Sequence, residues 1–204
     1  MTHALQCRCG TLRGQLTDIR GANHAVCYCR SCQAFAHFLG REAEVLDPLG
    51  ATTVIQTSPS KVVFTQGADQ LACMRLTEKG LLRWYAACCR TPVGNTLATP
   101  KVSFVGLVHN VLEDAGQPSL DQAFGSVKAR VNVDGARTAN KPKPVGLGPA
   151  ILWFLANGVG ARFTGAWRRT PFFRTETGEP VAQPQVLSPE EHARLMAEVE
   201  AKIG

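Results

Sequence analysis

Apolar and polar residues alternate along 11–17, with Leu12, Gly14 and Leu16 on one side and Thr11, Arg13, Gln15 and Thr17 on the other. A period of two predicts a short strand, half buried. His24 to Tyr28 reads as a second strand, running directly into a cluster of cysteines. Ser31 to Leu39 predicts a short helix, capped by Ser31 and stopped by Gly40. Thr52 to Thr57 and Lys61 to Thr65 are β-rich runs, parted by the turn signal Ser58-Pro59-Ser60. Leu81 to Ala86 and Val102 to Val111 add two more strands. The first 112 residues or so therefore read as a small all-β unit.

After Glu113-Asp114-Ala115-Gly116-Gln117-Pro118 the pattern changes. Val127, Ala129, Val131 and Val133 alternate with Lys128, Arg130, Asn132 and Asp134, the pattern of a half-buried strand or of a dynamic basic segment. Asn140 to Pro144 is a loop or linker, and Pro149 to Asn157 predicts a short buried helix ended by Gly158. Ser188-Pro189-Glu190-Glu191 opens a terminal amphipathic helix with an N-cap, a proline and acidic first-turn residues. Leu195, Val199 and Ile203 then recur every fourth position. On this reading the chain divides into a β domain, 1–115, and a C-terminal α-containing extension, 116–204.

Composition sharpens the picture in three ways. Of 204 residues 45% are hydrophobic and 19% charged, which supports a buried core and argues against a long disordered chain. Lys and Arg exceed Asp and Glu by 22 to 16, a mild bias toward acidic partners. The N-terminus lacks the basic start and apolar run of a signal peptide. The longest apolar stretch, around Ile151 to Ala156, is interrupted by Gly and Pro and falls short of the about 20 residues a bilayer requires. The expectation is a soluble, cytoplasmic protein with no membrane partner. In a reducing compartment its eight cysteines point to metal ligation or reactive thiols before disulfides.

Seven of the eight fall into groups: Cys7-Arg8-Cys9, Cys27-Tyr28-Cys29-Arg30-Ser31-Cys32, and Cys88-Cys89, with Cys73 alone. Zinc takes thiolates at about 2.3 Å in a tetrahedron, and a C-x-C or C-x-x-C pair in a tight turn aims two sulfurs at one ion. Gly10, directly after the first pair, suits such a turn. Two pairs make a closed structural site. Three cysteines without a local fourth leave a coordination position open, the condition for catalytic zinc. The competing readings are a redox pair with a bystander, or buried structural thiols.

The order C-x-C-G, then C-x-C-x-x-C, then an aromatic residue leading toward Thr-Pro resembles the glutathione-dependent formaldehyde-activating enzymes, a family that includes centromere protein V. The pieces here are Cys7-Arg8-Cys9-Gly10, Cys27 to Cys32, and Trp84-Tyr85-Ala86-Ala87-Cys88-Cys89-Arg90-Thr91-Pro92, so the resemblance covers roughly residues 5–112. It implies a mainly β, zinc-supported sandwich of two small packed sheets. It implies a structural zinc at the first and last motifs and a second, labile zinc at Cys27, Cys29 and Cys32, which are then the catalytic residues. The implied activity is of the carbon–sulfur lyase class, joining glutathione to formaldehyde as S-hydroxymethylglutathione. This sequence departs from the pattern in its last motif. Ala86 stands where the first cysteine belongs, and Arg90 replaces a glycine. Cys88 is the substitute, but neighbours on a strand point opposite ways, so Cys88 and Cys89 reach one ion only if the chain turns sharply. The structural site is thus Cys7, Cys9, Cys88 and Cys89, or it recruits Cys73, or it is lost.

Other residues compete for roles. His24 or His37 would complete a Cys3His site, or serve ordinary packing or lie at the surface, and packing or exposure is favoured. Arg8, Arg30 and Arg90 would clamp the carboxylates of a tripeptide or stay solvated. Arg162, Arg168, Arg169 and Arg174 interleave with Phe163, Trp167, Phe172 and Phe173. That pattern would grip nucleic acid, or the aromatics would anchor the extension while the arginines stay wet; the second is favoured. Two functions follow: a zinc enzyme adding a small thiol to a small aldehyde, or a non-enzymatic zinc module for a protein or nucleic-acid partner.

Overall fold

The computed structural model describes residues 1–113 and 117–203; the boundary read between 115 and 116 lies outside the described residues. The chain is mainly β, in two sheets. Strands β1 (His3–Gln6) and β2 (Arg13–Leu16) form an antiparallel hairpin, and β2 also pairs with β5 (Val62–Gln66) to complete a three-stranded sheet. The larger sheet contains β3 (Asn23–Cys27), β4 (Thr52–Thr57), β6 (Leu71–Arg75), β7 (Leu82–Ala86), β8 (Thr91–Thr96) and β9 (Val105–Val108), with β10 (Ala129–Val131) and β11 (Gln185–Val186) at its ends. Its order is β10-β3-β4-β9-β8-β7-β6-β11. Leu5, Leu12, Leu16 and Val62 of the small sheet side share one core with Ile55, Trp84, Val93 and Leu107 of the large one. Alternation puts every second side chain of each strand on the inner face, which is why two sheets suffice to make a core.

Both edges of the large sheet come from beyond residue 116. Strand β10 runs parallel to β3 with Val131 opposite Cys27, and β11 runs parallel to β6. Phe172 and Phe173 are buried against Trp84, with ring centroids 5.2 and 6.2 Å away. Among the described residues five α-helices decorate the sheets: α1 (Arg30–Leu39), α2 (Glu42–Val45), α3 (Leu120–Phe124), α4 (Leu147–Thr164) and α5 (Pro189–Glu200). Helix α5 has the expected capping box, Ser188 with Glu191, and its Leu195 and Val199 pack against Phe35 and Leu39 of α1.

Several elements differ from the pattern reading, each for a local reason. Helix α1 is capped by Cys29, whose sulfur accepts from the Cys32 amide at 3.3 Å, and not by Ser31. The run at Val102–Val111 yields a strand only over Val105–Val108, then a 3-10 turn, His109–Val111. Strand β8 contains Pro92 and Gly94, residues that weaken a strand signal; a register shift between Trp84 and Tyr85 in its partner accommodates the proline. The helix read as short and buried at Pro149–Asn157 is 18 residues long and mostly exposed. Gly158 passes through it, and Gly165, at φ 68°, ends it. No helix among the described residues is long and apolar enough to cross a membrane.

Candidate metal centres

Cys7, Cys9, Cys88 and Cys89 bring their four sulfurs together, all within 4.8 Å of one another. The first pair sits on the turn after β1, where Gly10 takes φ +75° and its amide closes onto the Cys7 carbonyl at 2.8 Å. The second pair sits on the turn between β7 and β8. The chain leaves its strand at Ala86, whose carbonyl accepts the Cys89 and Arg90 amides at 3.4 and 2.7 Å, and Arg90 adopts φ 56°. That turn releases Cys88 and Cys89 from the alternation of a strand, so both face one point. Cys73 is buried on β6 outside either group, and burial pushes its thiol up to about 12.

A metal–sulfur bond of about 2.3 Å in a tetrahedron sets sulfurs about 3.8 Å apart. The separations here are 3.5 Å for Cys7–Cys9, 3.7 Å for Cys7–Cys88, 3.3 Å for Cys9–Cys88 and 3.9 Å for Cys88–Cys89. Donors surround the sulfurs: the Leu12 amide reaches Cys7 at 3.2 Å, and Thr91 Oγ1 lies 3.1 Å from Cys89. The Thr11 hydroxyl and amide, followed by Cys88, pull the exposed Cys9 thiol down to about 6. Four cysteines with this spacing can hold a metal ion.

Cys27, Cys29 and Cys32 form the second group, also within 4.8 Å. Cys27 ends β3, Cys29 caps α1 and Cys32 lies in its first turn, so one strand-to-helix junction supplies all three. Cys27 and Cys32 sulfurs are 4.0 Å apart, again near a tetrahedral edge. Each sulfur has its own nitrogen neighbour. Asn132 Nδ2 reaches Cys27 at 3.3 Å, the Cys32 amide reaches Cys29 at 3.3 Å, and Arg83 Nη1 lies 3.9 Å from Cys32. Asn132, at φ 55°, follows β10, so residues beyond 116 help to build this centre. Arg83 is buried, fixed by Asn95 Oδ1 at 3.0 Å and stacked over Phe35 at 5.4 Å. Hydrogen bonds from Cys27 and Cys29, with help from Arg83, hold Cys32 well below an ordinary thiol, while hydrogen bonds with Cys27 and Cys32, and then burial, push Cys29 well above one. No fourth His, Cys, Asp or Glu joins the trio among the described residues. Cys29 and Arg83 instead line a cavity of roughly 750 Å³ with Arg75, Lys79, Thr99 and His192.

The remaining candidates have other work. His24 Nδ1 meets the Gly125 carbonyl at 2.7 Å, and His37 meets Glu198 of α5 at 3.2 Å. Arg8 pairs with Glu44, Arg30 with Glu200, and Arg90 donates to the Phe38 and Leu39 carbonyls. Arg8 and Arg90 tie loops to helices and Arg30 ties α1 to α5, and the arginines at the cysteine trio's cavity are Arg75 and Arg83. The signal for Arg83 was present in the sequence, as a charge between Leu82 and Trp84 in a strand whose two faces are both buried.

Comparison with known proteins places the sequence without assigning an activity. No curated protein matches it. A crystal structure of a Rhodobacter sphaeroides protein is similar at 18% identity and a TM-score of 0.38, covering 61% of this chain and 96% of its own. The profile of a family of unknown function, DUF6151, matches residues 2–185, spanning both cysteine groups and the strands on either side of them. The chain belongs to the DUF6151 family.

Proposed function

We propose that this is a zinc protein with two unlike sites, a structural zinc at Cys7, Cys9, Cys88 and Cys89, and an exchangeable zinc at Cys27, Cys29 and Cys32 that serves thiol chemistry. The observation that carries the reading is the contrast between the two groups. Four sulfurs close one tetrahedron, whereas three leave a vertex beside a cavity edged by Arg75, Lys79 and Arg83. Three cationic side chains suit the carboxylates of a small thiol such as glutathione. The motif resemblance to the glutathione-dependent formaldehyde-activating enzymes supports the same substrates, a small thiol and a small aldehyde.

Zinc bound there would supply an electrophilic centre that favours the thiolate form of an incoming thiol. Three thiolates on one dication leave a net negative charge, which opposes a further anionic ligand. Arg83, buried 3.9 Å from Cys32, offsets that charge, and the N-terminal end of α1 adds to the offset at Cys29. In the proposed addition the substrate sulfur forms a bond to the aldehyde carbon. The C=O π pair moves to oxygen, which takes the proton the thiol gave up. The product is a hemithioacetal, with no change in oxidation state and no redox cofactor. Arg75 and Lys79 hold the thiol's carboxylates through this step.

Thiols add to formaldehyde unaided, so the test is one of rate. Exchange between glutathione and its formaldehyde adduct, followed by NMR, should accelerate with the zinc-loaded protein, and Cys29→Ser should abolish the acceleration. Retained acceleration in Cys29→Ser would sink the catalytic reading. The second reading, a non-enzymatic zinc module for a protein or nucleic-acid partner, predicts zinc at both sites with no response to thiols.

A further inference from the structure

Helix α4 is apolar on two opposite faces, one packed on the protein and the other exposed. Ala150, Trp153, Phe154 and Ala161 turn inward: Trp153 Nε1 donates to the Gly21 carbonyl at 2.6 Å, and Phe154 meets Phe104 edge-on at 5.5 Å. The opposite face carries Leu147, Ile151, Leu155, Val159 and Phe163 at a strict spacing of four, with Leu152 beside them. At about 100° per residue these six positions sweep a continuous arc of about 160°. They are exposed by 52–89%, and Phe163 is the most exposed. A large apolar stripe on water is costly and marks a surface with a partner.

Charge says what kind of partner. Residues 135–175 contain no Asp or Glu and seven Lys or Arg. The rest of the chain has 15 Lys and Arg against 16 Asp and Glu, so this segment holds the whole net positive charge. Exposed Lys141 and Lys143 precede the helix, and exposed Arg162, Arg168 and Arg169 follow or end it. Arg162 and Arg168 lie over the Trp167 ring at 5.5 and 5.0 Å, an aromatic–cation group at the end of the stripe. Cations at both ends oppose pairing of this face with a second copy, because neither direction of packing brings an acidic residue of this segment to meet them. The stripe itself offers no polar side chain to a protein partner.

We infer that α4 is a docking helix for an anionic membrane surface, lying flat with its apolar face among the acyl chains and its flanking Lys and Arg at the headgroups. The helix is about 27 Å long, and its inner face stays packed on the sheet side, so the association is peripheral and spans nothing. The inference is independent of the chemistry proposed at the metal centres.

Co-sedimentation of the full chain with vesicles tests this. One set contains three parts phosphatidylcholine to one part phosphatidylglycerol, the other phosphatidylcholine alone. The protein should bind the anionic vesicles at least about tenfold more tightly than the neutral ones, and less at high salt. Leu152→Glu with Leu155→Glu should weaken that binding at least about tenfold, as should Phe163→Ser to a smaller degree, with metal content and circular dichroism unchanged. Any of four results would overturn the inference. These are no binding to anionic vesicles, equal binding to neutral ones, unchanged binding by the double variant, or a wild-type dimer that the double variant dissolves without any vesicle association.

Discussion

Arg83 concentrates the chemistry of the cysteine trio in one side chain. It is buried in strand β7, its guanidinium held by Asn95 and Phe35, and it brings a permanent positive charge to 3.9 Å from Cys32. A buried charge whose oxygen partner is a neutral amide is costly without a counter-charge, which three metal-bound thiolates would supply. Arg83→Met keeps the bulk and the stacking on Phe35 while removing the charge. It should lower metal affinity at Cys27, Cys29 and Cys32 by about tenfold, measured by competition with a chelator, and leave the four-cysteine site unchanged. Single residues were partly legible in the sequence. The cysteine groups stood out by spacing alone, whereas Arg83 and Asn132 lie 51 and 105 positions from the sulfurs they face. Such pairings are set by sheet register, which spacing along the chain does not encode.

At the scale of elements, the junction of β3 with α1 makes Cys29 a helix cap and one of three sulfurs that can hold a metal ion. A free Cys29 sulfur accepts the Cys32 amide; in a metal site it keeps that hydrogen bond and gains the ion. Two substitutions separate the roles. Cys29→Ser retains a capping atom and should lose metal from the trio with little loss of stability. Cys29→Ala loses both, and chemical denaturation should show it less stable than Cys29→Ser by about 1 kcal/mol. Equal stability of the two would show that the cap contributes nothing. Element prediction worked where a period and its end signals agreed: Thr52–Thr57, the start of α5 and the Gly40 stop of α1 all stand as read. It failed for α4, because a helix that is apolar on most sides reads as buried, and for β8, because Pro92 and Gly94 mask a strand that tertiary pairing holds in place.

On the scale of the whole molecule, the two cysteine groups are products of long-range assembly. The first joins a hairpin turn at Cys7 and Cys9 to a turn some 80 positions later in the chain, with Cys7 and Cys88 sulfurs 3.7 Å apart. The second is enclosed by a junction from the first quarter of the chain, a strand from its middle and Asn132 from beyond 116. The motif order carried this much in advance: it named the cysteines whose sulfurs the fold brings together, and it marked the departure at Ala86. The turn that brings Cys88 and Cys89 to Cys7 and Cys9, with Arg90 at positive φ, had no local signature, since arginine is not a residue that announces a left-handed turn.

The central claim is that the chain holds two metal ions on two separate cysteine groups. Elemental analysis of protein purified under reducing conditions tests it directly, on wild type beside Cys29→Ser and Cys88→Ala. The account predicts two zinc ions per chain in wild type, one in each variant, and loss of the trio's ion first on mild chelation. Wild-type protein that carries no metal, or a Cys29→Ser variant that still carries two ions, would contradict it.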